Sequence, residues 1–204
     1  MNGFYLQNSE EQLGTRISWW GDSGYTSNLA LARVFTKDEA VAQHQERNSQ
    51  LPWPIEFVDP KAHLAVDCQY VREQVLAALP ADTPCYVQLN QAWDGNDLYW
   101  ATPDGGFDVN LDIAQVYSLD EALSRYGAEG HCRTIWPKDY IDDKARRVAN
   151  KNDMTISDAL AGTGITLIKR PIIKQRLTCY GCRRFLSEIQ FWHTCPHCGA
   201  SNRP

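Results

Sequence analysis

The sequence predicts an α+β protein: two tandem copies of one small module, each a short antiparallel sheet plus a helix, followed by a compact tail stapled by a metal. Three observations carry that expectation. The first 162 residues contain an internal repeat, each copy joins short aromatic strands to a capped helix start, and four of seven cysteines crowd the last 26 residues as two CxxC pairs. The expected boundaries are 1–80 for the first copy with a connecting helix, 81–162 for the second, and 163–204 for the tail.

Offsets define the repeat. Phe4-Tyr5-Leu6-Gln7 returns as Cys85-Tyr86-Val87-Gln88, and Gly14 and Trp19 return as Gly95 and Trp100, all 81 residues on. Residues 25–40 match 107–122 at an offset of 82, with 7 of 16 positions identical. Trp53-Pro54, Asp59, Lys61 and Ala62 return as Trp136-Pro137, Asp142, Lys144 and Ala145 at an offset of 83. Preserved order with a small drift is what loop insertions leave in a duplicated unit.

Within each copy the elements follow in order. Residues 4–7 and 17–20, like 85–88 and 97–101, have the aromatic character of short strands. Gly21-Asp22-Ser23-Gly24 and Pro103-Asp104-Gly105-Gly106 mark a tight turn between strands. A third strand is expected at 32–35 and 114–117. Thr36 with Glu39, and Ser118 with Glu121, have capping-box spacing and start a helix in each copy. After each Trp-Pro comes a strand-like segment, 55–58 or 139–141. An amphipathic helix over about 69–79, with Val71, Val75 and Leu79 on one face, is expected to join the copies.

These motifs resemble a family. Tyr5-Leu6-Gln7-Asn8, then Trp19-Trp20-x-x-x-Gly24-Tyr25-Thr26, then a Phe-Thr-x-x-Glu-Ala helix start and a Trp-Pro-x-x-Phe/Tyr-Val/Ile-Asp segment, are similar to small tailed-phage and prophage proteins. The resemblance covers about 150 residues as two copies. It implies an accessory protein made in the bacterial host cytoplasm during infection, with no established catalytic residue set. The second copy departs from the pattern at Ala101 and Asp108, so a surface role for Trp20, Tyr25 and Thr26 belongs to the first copy.

The tail carries the clearest chemistry. Cys179-Tyr-Gly-Cys182 and Cys195-Pro-His-Cys198 stand 12 residues apart, a spacing that lets two knuckles bring four thiolates into a tetrahedron. The expected cofactor is one structural Zn²⁺, since four thiolates leave no open position for a substrate. Residues 184–192 are expected to form a hairpin whose Phe185, Ile189 and Trp192 cover the metal. His193 and His197 are unnecessary as ligands beside four well-spaced cysteines. The other thiols, Cys68, Cys85 and Cys132, are expected in the core.

Charge separates the parts. The chain carries 20 Lys+Arg against 25 Asp+Glu, but 163–204 holds seven basic residues and one acid, a net +6 that leaves −11 for 1–162. An acidic body and a basic tail suggest different partners. Lys169, Arg170, Lys174, Arg176, Arg183 and Arg184 offer phosphate contacts, with Tyr180, Phe185 and Trp192 for stacking on DNA or RNA.

Several classes find no support. No stretch approaches the ~20 apolar residues that cross a bilayer, so no membrane partner is expected, and the N-terminus lacks secretory character. Asp94, Asp97, Asp104, Asp108 and Asp112 are acidic but lack a phosphate clamp, and no GxxxxGK[ST], GxSxG or HExxH motif occurs. Trp19, Trp53, Trp100 and Trp136 occupy equivalent places and are expected in the core, whereas Trp20 is a candidate exposed anchor. The functional expectation is a non-enzymatic protein that binds and inhibits or redirects a host protein complex, foremost an antiviral defence system. The alternative is a zinc-ribbon protein that binds nucleic acid in transcription or replication.

Overall fold

A computed structural model describes residues 3–11, 13–72, 78–127, 132–168 and 177–202. In the first copy, β1 (Phe4–Asn8), β2 (Trp19–Gly21) and β3 (Gly24–Thr26) precede α1 (Lys37–Glu46), β4 (Gln50–Pro54), the short helix α2 (Ile55–Val58) and β5 (His63–Val66). In the second, β6 (Pro84–Asp94), β7 (Asp97–Ala101), β8 (Phe107–Asp108) and β9 (Tyr117–Ser118) precede α3 (Leu119–Tyr126), β10 (Arg133–Pro137), α4 (Lys138–Asp142) and β11 (Ala145–Val148). Two short helices follow, α5 (Ile156–Ala159) and α6 (Glu188–Phe191). The two main sheets have the same antiparallel order, β3-β2-β1-β4 and β8-β7-β6-β10, and the fold is α+β as the sequence predicts.

Matched residues do matched work. Tyr5 lies opposite Trp53 across β1 and β4, and Tyr86 opposite Trp136 across β6 and β10. The Trp53 indole donates to Gln7 Oε1 at 2.7 Å, and that of Trp136 to Gln88 Oε1 at 2.6 Å. The Tyr5 hydroxyl donates to Asp59 at 3.2 Å, and that of Tyr86 to Asp142 at 3.1 Å. Trp19 and Trp100 are fully buried, each tilted 57° to the tyrosine of its own sheet. Rings of this size supply most of the apolar burial in so small a core. Both capping boxes form, Thr36 with Glu39 and Ser118 with Glu121.

Three expectations give way. Residues 32–35 make only isolated bridges, Ala32 to Gly21 and Phe35 to Phe4, because a turn at Leu29–Leu31, capped by Asn28, lifts the chain off the sheet edge. The segment after each Trp-Pro is helical: the strand ends on the proline, and a turn of helix from Ile55 puts Val58 fully in the core. A helix over 69–79 does not begin where expected. Cys68–Tyr70 form one tight turn capped by Asp67, and Val71 is extended, while residues 73–77 lie outside the described residues.

The two copies interlock. β5 pairs with β11, and Leu64 lies directly opposite Arg147, its own equivalent 83 residues on. A pseudo-two-fold axis therefore passes through that pair. Beyond it, each copy feeds the other's core. Leu64, Val66, Cys68 and Val71 pack with Tyr86, Trp100 and Trp136 of the second copy. Ala149, Met154, Ile156 and Ala159 pack with Tyr5, Trp19 and Trp53 of the first. Paired hydrogen bonds repeat the exchange, Cys68 N–H to Asn96 O and Lys151 N–H to Thr15 O, both 2.9 Å. At the same contact Gly14 (φ +59°) meets Gly95 (φ +64°), so close that a Cβ at Gly14 would collide with the Gly95 amide and a Cβ at Gly95 would lie 2.8 Å from the Leu13 carbonyl oxygen.

Both copies consequently fall in one compact unit, Met1–Ile168, and the rest of the chain, Lys169–Pro204, forms the other. The segment from 163, expected in the tail, stays with the first unit. The Thr163 carbonyl accepts from Lys37 Nζ at 2.5 Å, Ile165 packs near Phe4 and Phe35, and the Ile168 N–H donates to His44 Nε2 at 2.8 Å.

Two outcomes follow from the interlock. Gly14→Ala is expected to lower unfolding free energy by at least about 1 kcal/mol more than Gly105→Ala, whose φ is +84° but whose Cβ meets nothing within 4 Å. Chemical denaturation measures the difference, and equal losses would disprove the close approach. His63, on β5, has its pKa lowered from 6.5 by burial and by Arg16, against smaller opposing effects of Asp153, Asp112 and Asp108. The neutral form is therefore favoured in the folded state, so its stability contribution is full above about pH 6.5 and is lost as pH falls below that value. Thermal melts of the wild type should show this acid-side slope, and those of His63→Gln should show less of it.

Candidate functional site

The second unit is organised by two similar knuckles. Cys179 N–H donates to Arg184 O at 2.9 Å and Arg183 N–H returns to Cys179 O at 2.9 Å; Cys195 N–H donates to Ala200 O at 2.8 Å and Gly199 N–H returns to Cys195 O at 2.9 Å. The turn position is left-handed in both, φ +58° at Arg183 and +72° at Gly199. Glycine takes that conformation freely, whereas arginine holds it because the knuckle's hydrogen bonds close around it. The knuckles bring Cys179, Cys182, Cys195 and Cys198 together, with all four sulfurs within 4.8 Å of one another.

The spacing suits an ion. Cys179 and Cys198 sulfurs lie 3.6 Å apart, and those of Cys182 and Cys195 lie 3.8 Å apart. A tetrahedral ion with metal–sulfur bonds of about 2.3 Å sets sulfur–sulfur separations near about 3.8 Å. The amides of Cys182 and Gly181 point at Cys179 Sγ, at 3.5 and 3.3 Å, and hold its pKa down at about 6. Cys198 is pushed up to about 11: the Ala200 amide lowers it, but the neighbouring Cys182 thiol and burial prevail. Four thiols so placed cannot all ionise without a cation between them.

A residue that the motif did not reveal joins the knuckles. Asn202 is fully buried; its Oδ1 accepts from the Tyr180 N–H at 3.1 Å and its Nδ2 donates to the His193 carbonyl at 3.3 Å. The only sequence signal is a polar side chain a few residues beyond the last cysteine. The expected hairpin is instead the short helix α6, started by a Ser187–Gln190 capping box. Leu186 and Phe191 pack beside the cysteines, and Phe185, Ile189 and Trp192, expected over the metal, are each more than half exposed. Ile189 faces outward because four residues cannot bury both faces of a helix, and Phe185 and Trp192 lie outside the helix on either side of it. Tyr180, Arg183 and Arg184 are exposed as well, and Arg184 lies 3.5 Å from His197 Nδ1. Lys169, Arg170, Lys174 and Arg176 lie outside the described residues.

In the first unit the predicted anchor divides. Trp20 is half-buried, set edge-on to Tyr25 and Phe35 with centroids 5.8 and 6.3 Å away, so its ring is spent largely on packing. Tyr25 is the exposed member, its hydroxyl accepting from Gln50 Nε2 at 2.9 Å. Thr26 accepts from the Asn28 N–H at 3.0 Å and shapes the turn.

A second feature of this edge carries no motif in the sequence. Leu31 and Val34 are 64% and 57% exposed, and their equivalents Ile113 and Val116 are 49% and 39% exposed. The duplication keeps apolar residues at solvent positions in both copies, although their neighbours Arg33 and Gln115 differ. An open cleft of about 560 Å³ adjoins Val116, lined also by Gln115, Tyr117, Asp120 and Arg125. Burial and the Tyr126 hydroxyl push Tyr117 up to about 12, so it stays a neutral phenol there.

The remaining candidates are structural. Asp94 and Asp97 belong to the interlock; Asp104, Asp108 and Asp112 accept from Thr102, Asn110 N–H and Leu64 N–H. Cys85 is fully buried as expected and Cys68 half-buried, but Cys132 is exposed, since the chain reaches β10 only at Arg133. Among the described residues no helix is long and apolar enough to cross a membrane.

The site predicts its own protection pattern. A metal bound at the knuckles should shield four of the seven thiols from alkylation while Cys132 stays reactive, and Cys182→Ser should abolish the shielding. Mass spectrometry of the alkylated peptides reads this, and equal labelling of all thiols with metal present would exclude the site. No family model matches this chain, and no curated protein or solved structure matches it.

Proposed function

We propose that this chain is a non-enzymatic accessory protein of phage or prophage origin. It acts in the bacterial host cytoplasm by binding a host protein complex, and the class we favour is an antiviral defence system that it inhibits or redirects. The observation that supports the reading most is the exposed apolar pair repeated in both copies, Leu31 with Val34 and Ile113 with Val116. Solvent alone gives no reason to keep such residues twice, whereas a docking surface does. Two linked faces raise the effective concentration of the second contact without new chemistry. In this reading the four cysteines hold one Zn²⁺ with a purely structural role: the ion supplies folding free energy that a small unit with few buried residues lacks.

A second reading has its own observation. Arg183, Arg184, Tyr180 and Trp192 are all exposed on the small cysteine unit, the combination of cations and stacking rings that single-stranded nucleic acid recruits.

Capture from a bacterial lysate separates the two. Under the first reading a protein partner resists nuclease. Either pair substitution, Leu31→Asp/Val34→Asp or Ile113→Asp/Val116→Asp, weakens capture by about 10-fold or more, and combining them abolishes it. Capture that survives the combined substitution excludes the two faces. Capture that disappears with nuclease, and with Arg183→Ala/Arg184→Ala, favours the second reading.

A further inference from the structure

The two knuckles repeat one pattern, and among the described residues only one of them ends in a buried polar side chain. Residues 178–186 correspond to 194–202 at an offset of 16. The bridge from Thr178 to Phe185 returns as Thr194 to Ser201, and the Cys179 N–H on Arg184 O returns as the Cys195 N–H on Ala200 O. The last residue of each pattern is buried, Leu186 in the first and Asn202 in the second. The residue after the leading cysteine also differs, Tyr180 in the first and Pro196 in the second.

These two differences fit each other. The Tyr180 N–H donates to Asn202 Oδ1 at 3.1 Å, so the end of the second knuckle supports the turn of the first. Pro196 has no N–H to donate, and the residue equivalent to Asn202 is the apolar Leu186. The buried side chain is polar where a peptide N–H has to be met, and apolar where there is none. Asn202 Nδ2 donates to the His193 carbonyl at 3.3 Å, so the side-chain amide is held at both ends. The next two amides of the first knuckle, Gly181 and Cys182, are the ones directed at Cys179 Sγ. Fixing the Tyr180 peptide therefore helps to aim them.

We propose that Asn202 is a positioning residue of the cysteine site: it holds the first knuckle in the geometry that receives a tetrahedral ion, and it is needed because residue 180 is not proline. The inference rests on the reading that the four cysteines hold Zn²⁺.

A double-substitution cycle on the full-length, reduced chain tests this. Competition with a chromophoric chelator measures Zn²⁺ affinity, and the absorption of the Co²⁺-loaded chain reads the tetrahedral thiolate geometry. Asn202→Leu is expected to weaken Zn²⁺ binding by about 10-fold or more, as loss of an outer partner of a metal site does. Tyr180→Pro alone is expected to weaken it too, because Asn202 Oδ1 then stays buried without its donor. Tyr180→Pro/Asn202→Leu recreates the combination of Pro196 and Leu186, and is expected to bind several-fold more tightly than the product of the two single losses allows. The Co²⁺ spectrum should follow the same order. Asn202→Leu with wild-type affinity overturns the proposal, and so do single losses that simply multiply in the double variant. If Asn202→Leu takes up no ion at all, renewed uptake by the double variant supports the proposal and its absence overturns it. A wild type that takes up neither Zn²⁺ nor Co²⁺ overturns the metal reading, and this inference with it.

Discussion

The exchange of core residues across β5 and β11 is the constraint on which the rest of the first unit depends. Trp19 and Trp53 need Ala149 and Met154, which arrive from the second copy, and Trp100 and Trp136 need Val66 and Val71 from the first. On this face neither sheet closes its own core, whereas the opposite face of each packs largely within its own copy. Two small modules of this size bury little surface separately, and sharing strands lets both reach an adequate burial fraction. The same exchange explains why the contact tolerates no side chain at Gly14 and Gly95, and why charged residues could be sealed there at all.

Duplication also supplies a comparison within one chain. Where both copies keep a residue type and the structure buries it, packing is sufficient reason, as with the tyrosine–tryptophan frames and their Gln7 and Gln88 acceptors. Where both keep an apolar residue in solvent, as at Val34 and Val116, packing is not a reason. Where the copies differ at a buried position, as at Arg16 and Asp97, the two residues meet across the contact as opposite charges. These three patterns separate framework, surface and pairing.

The cysteine unit follows a different economy. Among the described residues it buries little besides cysteines, Leu186 and Asn202, and it is organised by its knuckle hydrogen bonds and by a sulfur cluster that could hold a metal ion rather than by a core. Tyr180, Phe185 and Trp192 are left at the surface as a result, while Phe191 packs beside the cysteines.

The sequence by itself determined the local and repeated features. The α+β class, the capping boxes at Thr36 and Ser118, the buried tryptophans and the four-cysteine cluster were all legible, because each depends on near neighbours, on spacing or on an offset. It misled where a local signal was ambiguous: Ile55 and Val58 suit a strand or one turn of helix, and only Pro54 ending the strand against β1 decides. Tertiary structure alone decided that the copies interlock, that Trp20 turns inward, that Ile189 turns outward, and that Arg16 meets Asp97. Those outcomes depend on where a symmetry axis falls and on which face a short element presents. No periodicity along the chain encodes either, and at the interlock the partners are brought together only by the other copy.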